Sequence, residues 1–578
     1  MKQIITKYGY IALFLYIAIF YCFLYNYHLL YTEQLQIFQS TGLYFQSLAG
    51  KPGGIADYLG TFVKQFYIWN HAGGLILTAA LWLLFFLLKK IGNSWGLTIN
   101  NAFTLLPVAV FALFYRDVNA HSGGLIAVIL ALIFVFIISK LPENWFKYIL
   151  AWVFIPVVYA CTGGGLIVYV SLLTIGNLWK GKQHILFISI LLLLAVLLPL
   201  TIRQYWLPLS WEDTWIGNAF YLGDNVPEQI WWLLLLPVIV FLLSLFAHRY
   251  WKKVNQSFLI TSFLLLCITG GTIACMQSQK NGNEEVIYTL DHLLKKQEWD
   301  KMIQIAEIQP QRNLLFVSYV NIALLNKGLL ADKLLDFSQR PEINEFWTSS
   351  YLPMFLTAET YYQLEMQDGA RAYYFMSNTQ SPTAQSPFMY KRLAELEAIR
   401  GNAKAGLKYV QVLKNTLFYR SWAEKMEKAL LSGTYPKEIQ AQIDLYAEND
   451  SFLAKEMLYN VSCKQQKAPG NIKVRDFLLA KYIVANDYKG FIHCVASLPN
   501  GIGKEFPRLY QEFLLMYAYM LGDNTLIETW RIRQDIVTDF YKYLQINQSG
   551  QAADVIKSKL SETHRHTYWF YVQYKNEF

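Results

Sequence analysis

Nine apolar runs succeed one another through the first 276 residues, at about 9–31, 71–88, 98–115, 122–139, 146–161, 164–179, 184–202, 230–248 and 256–276. Each is near the ~20 residues a helix needs to cross a bilayer core. They predict a polytopic transmembrane helical domain of about nine spans over residues 1–279. Between the first two runs, residues 32–70 are too polar to cross and too apolar to float free. There Ile55, Tyr58, Leu59, Phe62, Val63, Phe66 and Trp69 share one helical face, with Asp57, Gly60, Thr61 and Lys64 opposite. That pattern predicts an interfacial helix whose polar side, Asp57 and Lys64 included, is solvated. Leu35, Phe38, Phe45 and Leu48 predict a weaker one before Pro52-Gly53-Gly54. Gly163-Gly164-Gly165 and Gly270-Gly271 are expected at close helix approaches or a span boundary.

From about Asn283 the long apolar runs give way to amphipathic helices in pairs. Turns recur at 295–299, 326–328, 367–369, 400–402 and 486–488. Tyr319 to Leu335 and Leu393 to Tyr409 show the unit, a helix, a short turn with glycine, and a second helix with small residues at its start. Over about residues 285–500 this resembles tetratricopeptide repeats with degenerate motifs. The resemblance implies a soluble α-helical repeat solenoid over 280–578, in an all-α chain, with a concave face for a protein or peptide partner. The closing stretch Tyr568 to Tyr574 is expected to cap the last helix pair. His564-Arg565-His566 makes no metal site, because adjacent residues point to different helix faces. Cys463 and Cys494 allow one disulfide or two buried thiols.

Composition agrees with a membrane protein: 54% of the 578 residues are apolar and 16% are charged. Residues 1–276 hold fifteen lysines and arginines against eight acids. With the N-terminus in the cytoplasm, Lys2/Lys7, Lys89/Lys90, Lys140/Lys147, Lys180/Lys182 and Arg249/Lys252/Lys253 all fall on the inner face, and every acid but Glu143 falls outside. An odd number of spans then exports the repeats, so a bacterial inner-membrane location with a periplasmic C-terminal domain is expected. The net charge of +9 belongs to loops beside anionic lipid and not to a nucleic-acid surface.

The chain carries no GxSxG, no HExxH, no Walker loop and no nucleotide fold, and implies no cofactor. Candidate chemistry therefore lies in the outer loops. The loop at about 203–229 holds Trp206, Trp211, Trp215, Phe220 and Tyr221 with Arg203, Glu212, Asp213, Asp224 and Glu228. Its aromatics are headgroup anchors, or a stacking platform for a sugar or lipid-linked substrate. On the second reading Arg203, Trp211, Glu212 and Asp213 bind substrate.

Over residues 9–125, Glu33 directly follows the first span, a loop with two interfacial helices leads to the second, and Tyr115 to His121 forms a polar loop after the third. This layout resembles the GT-C class of membrane glycosyltransferases. The resemblance implies a polyprenyl-phosphate-linked sugar donor and a first-loop carboxylate that serves as base or orients the acceptor. By position, Glu33 is the acid–base candidate, with Asp57 its competitor. Arg116 would pair with the donor phosphate, while Asp117 and His121 would serve acceptor or metal binding. The chain departs from that class in lacking a paired acidic motif beside Glu33 and in having fewer spans. The stretches 51–59 and 65–67 also resemble an uncharacterised family of bacterial inner-membrane proteins that join a polytopic half to an exported repeat half. The alternative function is a non-catalytic membrane-anchored scaffold whose repeats dock envelope proteins.

Overall fold

In a computed structural model the described residues are 8–97, 99–180, 185–223, 227–250, 258–339, 351–446, 456–496 and 506–575. Lys2, Lys7, Lys182, Asp224, Lys252 and Lys253 lie outside them. The described residues form helices joined by turns, with one isolated antiparallel bridge between Ala120 and Tyr221. Two compact units result. The first comprises 1–288 together with 382–387 and 410–425, and the second comprises 289–381, 388–409 and 426–578.

Among the described residues of the first unit, five helices are long and apolar enough to cross a membrane: Ala72–Ser94, Ser122–Lys140, Trp145–Thr162, Ile185–Tyr205 and Gln229–Arg249. A sixth is the bent pair Ile11–Leu24 and Asn26–Glu33, whose halves meet at 69°. Its break follows a π-helical turn at Phe20–Leu24 and falls at Tyr25, which leaves helical geometry at φ −138°. The remaining apolar runs, at about 98–115, 164–179 and 256–276, form shorter helices at Asn101–Phe114, Gly165–Trp179 and Ile260–Met276. Of the nine expected spans, five, or six with the bent pair, are shown among the described residues by helices long and apolar enough to cross a membrane. Asn101–Phe114 is shorter for a local reason: the Asn100 side chain caps the helix start, and Tyr115 ends it before Arg116.

Three glycine-bearing loops lock this unit together. Gly53, at φ +76°, donates its N–H to the Tyr159 carbonyl at 3.1 Å, and Gly164 donates to Ile216 at 2.9 Å. A side chain on Gly217 would meet the Pro52 carbonyl at 2.8 Å. Gly163 to Gly165 therefore do mark a close approach. Gly270 and Gly271 do not, since no heavy atom lies within 4 Å of a Cβ built at either.

The second unit contains packed helix pairs, among them Trp299–Ile308 with Leu314–Lys327, Tyr351–Gln363 with Gln367–Gln380, and Met457–Lys467 with Ile472–Ala485. The turn after Lys327 is closed by Gly328 and that after Ala485 by Asn486, both left-handed. The turn expected at 367–369 lies slightly earlier, at Leu364 to Met366, and Gln367 already starts a helix. Tyr568–Tyr574 is a helix with Tyr568, Trp569, Phe570 and Tyr571 buried. Tyr568 donates its hydroxyl proton to Asn486 Oδ1 at 2.9 Å. None of the six cysteines is in a disulfide, Cys463 and Cys494 included.

Candidate functional site

The helix Gly54–Lys64 has the two faces its sequence predicts, but their surroundings are exchanged. Gly54, Ala56, Asp57, Gly60, Thr61 and Lys64 are buried, while Phe62 and Trp69 are exposed and Ile55, Tyr58 and Leu59 are half-exposed. The polar side is packed on the Ser122–Lys140 helix. Gly60 makes this approach feasible, since a Cβ there would stand 2.3 Å from the Gly123 nitrogen. The expected solvated face of Asp57 and Lys64 is thus an interior face. An amphipathic pattern separates two faces without naming the medium of either; in a helix lying against apolar surroundings the polar face turns to the protein.

This burial gathers four ionisable side chains. Glu33, the last residue of Asn26–Glu33, is 3% exposed, Lys64 2% and His121 0%. Asp57 Oδ1 lies 2.9 Å from His121 Nε2, and His121 is held at the start of Ser122–Lys140 by its backbone N–H donating to Phe220 at 3.0 Å. Lys64 Nζ and His121 Nδ1 have no hydrogen-bond partner among the described residues. Burial pushes the Lys64 amine down to about 7, against the pull of the Glu33 and Asp57 carboxylates.

Glu33 is covered from a part of the chain that the sequence gives no reason to connect with it. Tyr419, in the 410–425 segment of the same unit, donates to the Glu33 carboxylate at 2.9 and 3.1 Å. Gln34 Nε2 donates both to Glu33 and, at 2.9 Å, to the Tyr419 hydroxyl oxygen. Burial and the Glu33 charge hold the Tyr419 hydroxyl well above its ordinary pKa. Replacing Tyr419 by Phe leaves a buried carboxylate short of donors and is expected to destabilise the protein by about 1–3 kcal/mol. Thermal unfolding in detergent measures this, and an unchanged midpoint would show that the contact adds nothing. A second anchor is Glu285, whose carboxylate accepts the backbone N–H groups of Tyr27 and His28 at 2.6 and 3.0 Å.

The other sequence candidates lie in different surroundings. Arg116 donates to the Cys275 carbonyl at 2.8 Å and to Ser278 Oγ at 3.3 Å. Asp117 is exposed and accepts from Asn119 N–H at 2.9 Å and from the Tyr221 hydroxyl at 3.0 Å. Arg203 has its guanidinium 4.9 Å from the centre of the Trp211 ring. Glu212 and Asp213 stand in the first turn of Trp211–Trp215, where the Ser210 hydroxyl caps the Asp213 N–H. Of the catalytic candidates, Glu33 and Asp57 share one centre with His121 around Lys64. Of its members, sequence reasoning missed Lys64, although it stands seven residues after Asp57 on the same helical face, and Tyr419, for which no local signal exists. No group of three or more His, Cys, Asp or Glu side chains suited to a metal is found among the described residues.

The fold and this centre describe a helical protein with several helices of membrane-spanning length and composition, and a buried polar cluster on the loop after the first of them. The chain belongs to the DUF6057 family, a family of unknown function whose model matches residues 2–575. No curated protein and no solved structure matches it.

Proposed function

We propose that the protein is a multi-pass inner-membrane enzyme of the GT-C-like glycosyltransferase kind, using a polyprenyl-phosphate-linked sugar at the periplasmic face. In this reading the N-terminus is cytoplasmic, all nine apolar helices enter the membrane, and a periplasmic TPR-like domain recruits the acceptor. One observation carries it: the Lys64 amine is buried without a hydrogen-bond partner among the described residues, within electrostatic reach of the Glu33 and Asp57 carboxylates. A buried, unsatisfied amine between two acids costs stability that a purely structural helix has no need to spend, and such groups cluster where a polar substrate is bound. Glu33 is the acid–base residue, Lys64 binds an oxygen of the substrate, and Asp57 orients His121. Arg116 and Asp117, engaged as described above, are left out of this centre.

The second reading, a scaffold whose repeats dock envelope proteins, is favoured by the Tyr419 and Gln34 hydrogen bonds that already occupy the Glu33 carboxylate. Glu33→Gln and Asp57→Asn, each expressed at wild-type level, separate the two. Surface glycans altered in both variants as in a strain lacking the gene are the expected result. Glycans altered only by loss of the gene would leave the scaffold, and glycans unchanged in every strain would end the glycosyl-transfer reading.

A further inference from the structure

A half-open cavity of about 180 Å³ lies among the helices Trp145–Thr162, Gly165–Lys180 and Ile185–Tyr205 of the first unit. Its wall is almost wholly apolar and includes Leu166, Val170, Leu192, Val196, Pro199 and Trp215. An apolar cavity of only ~150 Å³ stays dry and takes up a hydrocarbon such as benzene. Ile185–Tyr205 is the least buried of the five long apolar helices, with Leu192, Leu193, Val196 and Leu197 exposed. In a bilayer the medium against it is lipid chain.

A cation stands at the Trp215 end of this cavity, and two lines of geometry connect it there. Leu192, Val196, Pro199 and Arg203 follow one another at helical spacing along one face, so Arg203 lies one turn, or about 6 Å, beyond the last of the lining residues. Trp215, itself part of the wall, is 6.1 Å from Trp211, and Trp211 is 4.9 Å from the Arg203 guanidinium. Arg203 Nε donates to the Leu209 carbonyl at 3.3 Å. Its remaining nitrogens form no ion pair with Glu212, Asp213 or any other described acid. The side chain is thus oriented by a carbonyl and an indole while the forked end of the guanidinium stays open, the arrangement that suits phosphate oxygens.

We propose that the cavity and Arg203 form one binding site for a phosphate-headed membrane lipid, with a hydrocarbon chain in the cavity and the phosphate on the Arg203 guanidinium. The site is separate from the Glu33 centre and stands or falls without it. Charge complementarity commits the occupant to an anionic headgroup, and the apolar wall commits it to a chain. Phospholipid and isoprenoid phosphate share both features.

The test is lipid binding to the purified full-length protein in detergent, followed by native mass spectrometry. The probes are dioleoyl phosphatidylglycerol, undecaprenyl phosphate, dioleoylglycerol and inorganic phosphate. Wild type is expected to retain at least one of the two phosphate-headed lipids and to bind dioleoylglycerol and inorganic phosphate weakly; which of the two lipids is preferred identifies the source. Arg203→Gln is expected to weaken retention about tenfold, as the loss of a charge-assisted contact implies. Val196→Trp, which fills the cavity, should do the same. Lys90→Gln, an exposed cation at the end of another apolar helix, should change nothing. Equal retention by wild type and Arg203→Gln, or an equal loss with Lys90→Gln, overturns the proposal. Should Val196→Trp fail to fold, Arg203→Gln with the dioleoylglycerol comparison decides the matter.

Discussion

Lys64→Met is expected to stabilise the purified protein near neutral pH, because burial costs the Lys64 amine more than the Glu33 and Asp57 carboxylates return to it. It is also expected to abolish function in the cell. The two effects together separate a working site from a structural one, because a lysine that served only to hold the loop would lose stability on removal. The pH dependence has a definite sign. In the unfolded chain the amine keeps its proton up to about 10.5, whereas burial brings it down to about 7 in the folded protein. Between those values unfolding takes up a proton, so stability attributable to Lys64 rises with pH across that window and its deficit is complete below about 7. Thermal unfolding of both forms from pH 6 to 9.5 should show this slope in wild type and not in Lys64→Met. Parallel curves would show that the amine is not desolvated.

Gly60→Ala should cost about 3 kcal/mol, the upper end of what overpacking imposes, even though alanine is the better helix former. Its methyl would stand 2.3 Å from the Gly123 nitrogen and 2.5 Å from the Gly123 Cα. Both are backbone atoms of the Ser122–Lys140 helix, so neither can swing aside. The Gly54–Lys64 helix would have to move away, and the Asp57–His121 contact would open with it. Gly270→Ala is the control, a mid-helix glycine with open space around it. It should be neutral or stabilising by up to about 1 kcal/mol. Thermal midpoints in one detergent compare them directly, and a Gly60→Ala protein as stable as Gly270→Ala would refute the close packing.

Several features were legible along the chain because they are local. Runs of apolar residues mark helices, and the amphipathic repeat from Ile55 to Lys64 marks its two faces. The turns at Gly328 and Asn486 follow from residues that tolerate positive φ. Glu33 and Asp57 were found because each is an acid close to an apolar run. The number of long spans was less legible, since a cap such as Asn100 can shorten an apolar run by a turn.

What escaped was every choice that depends on what stands opposite. Arg116 and Asp117 are adjacent in sequence, yet one donates to the end of the Phe258–Met276 helix and the other accepts from Tyr221. Tyr419 meets Glu33 across 386 positions, and a separation of that size leaves no periodic trace. The faces of the Gly54–Lys64 helix are a property of its own letters, because side-chain direction repeats every 3.6 residues. Which face is interior is not, because that is settled by the free energy of the whole arrangement. Turning Asp57, Thr61 and Lys64 inward removes charges from water at a cost, and the partners gathered by the fold, Glu33 beside Lys64 and His121 on Asp57, offset part of it.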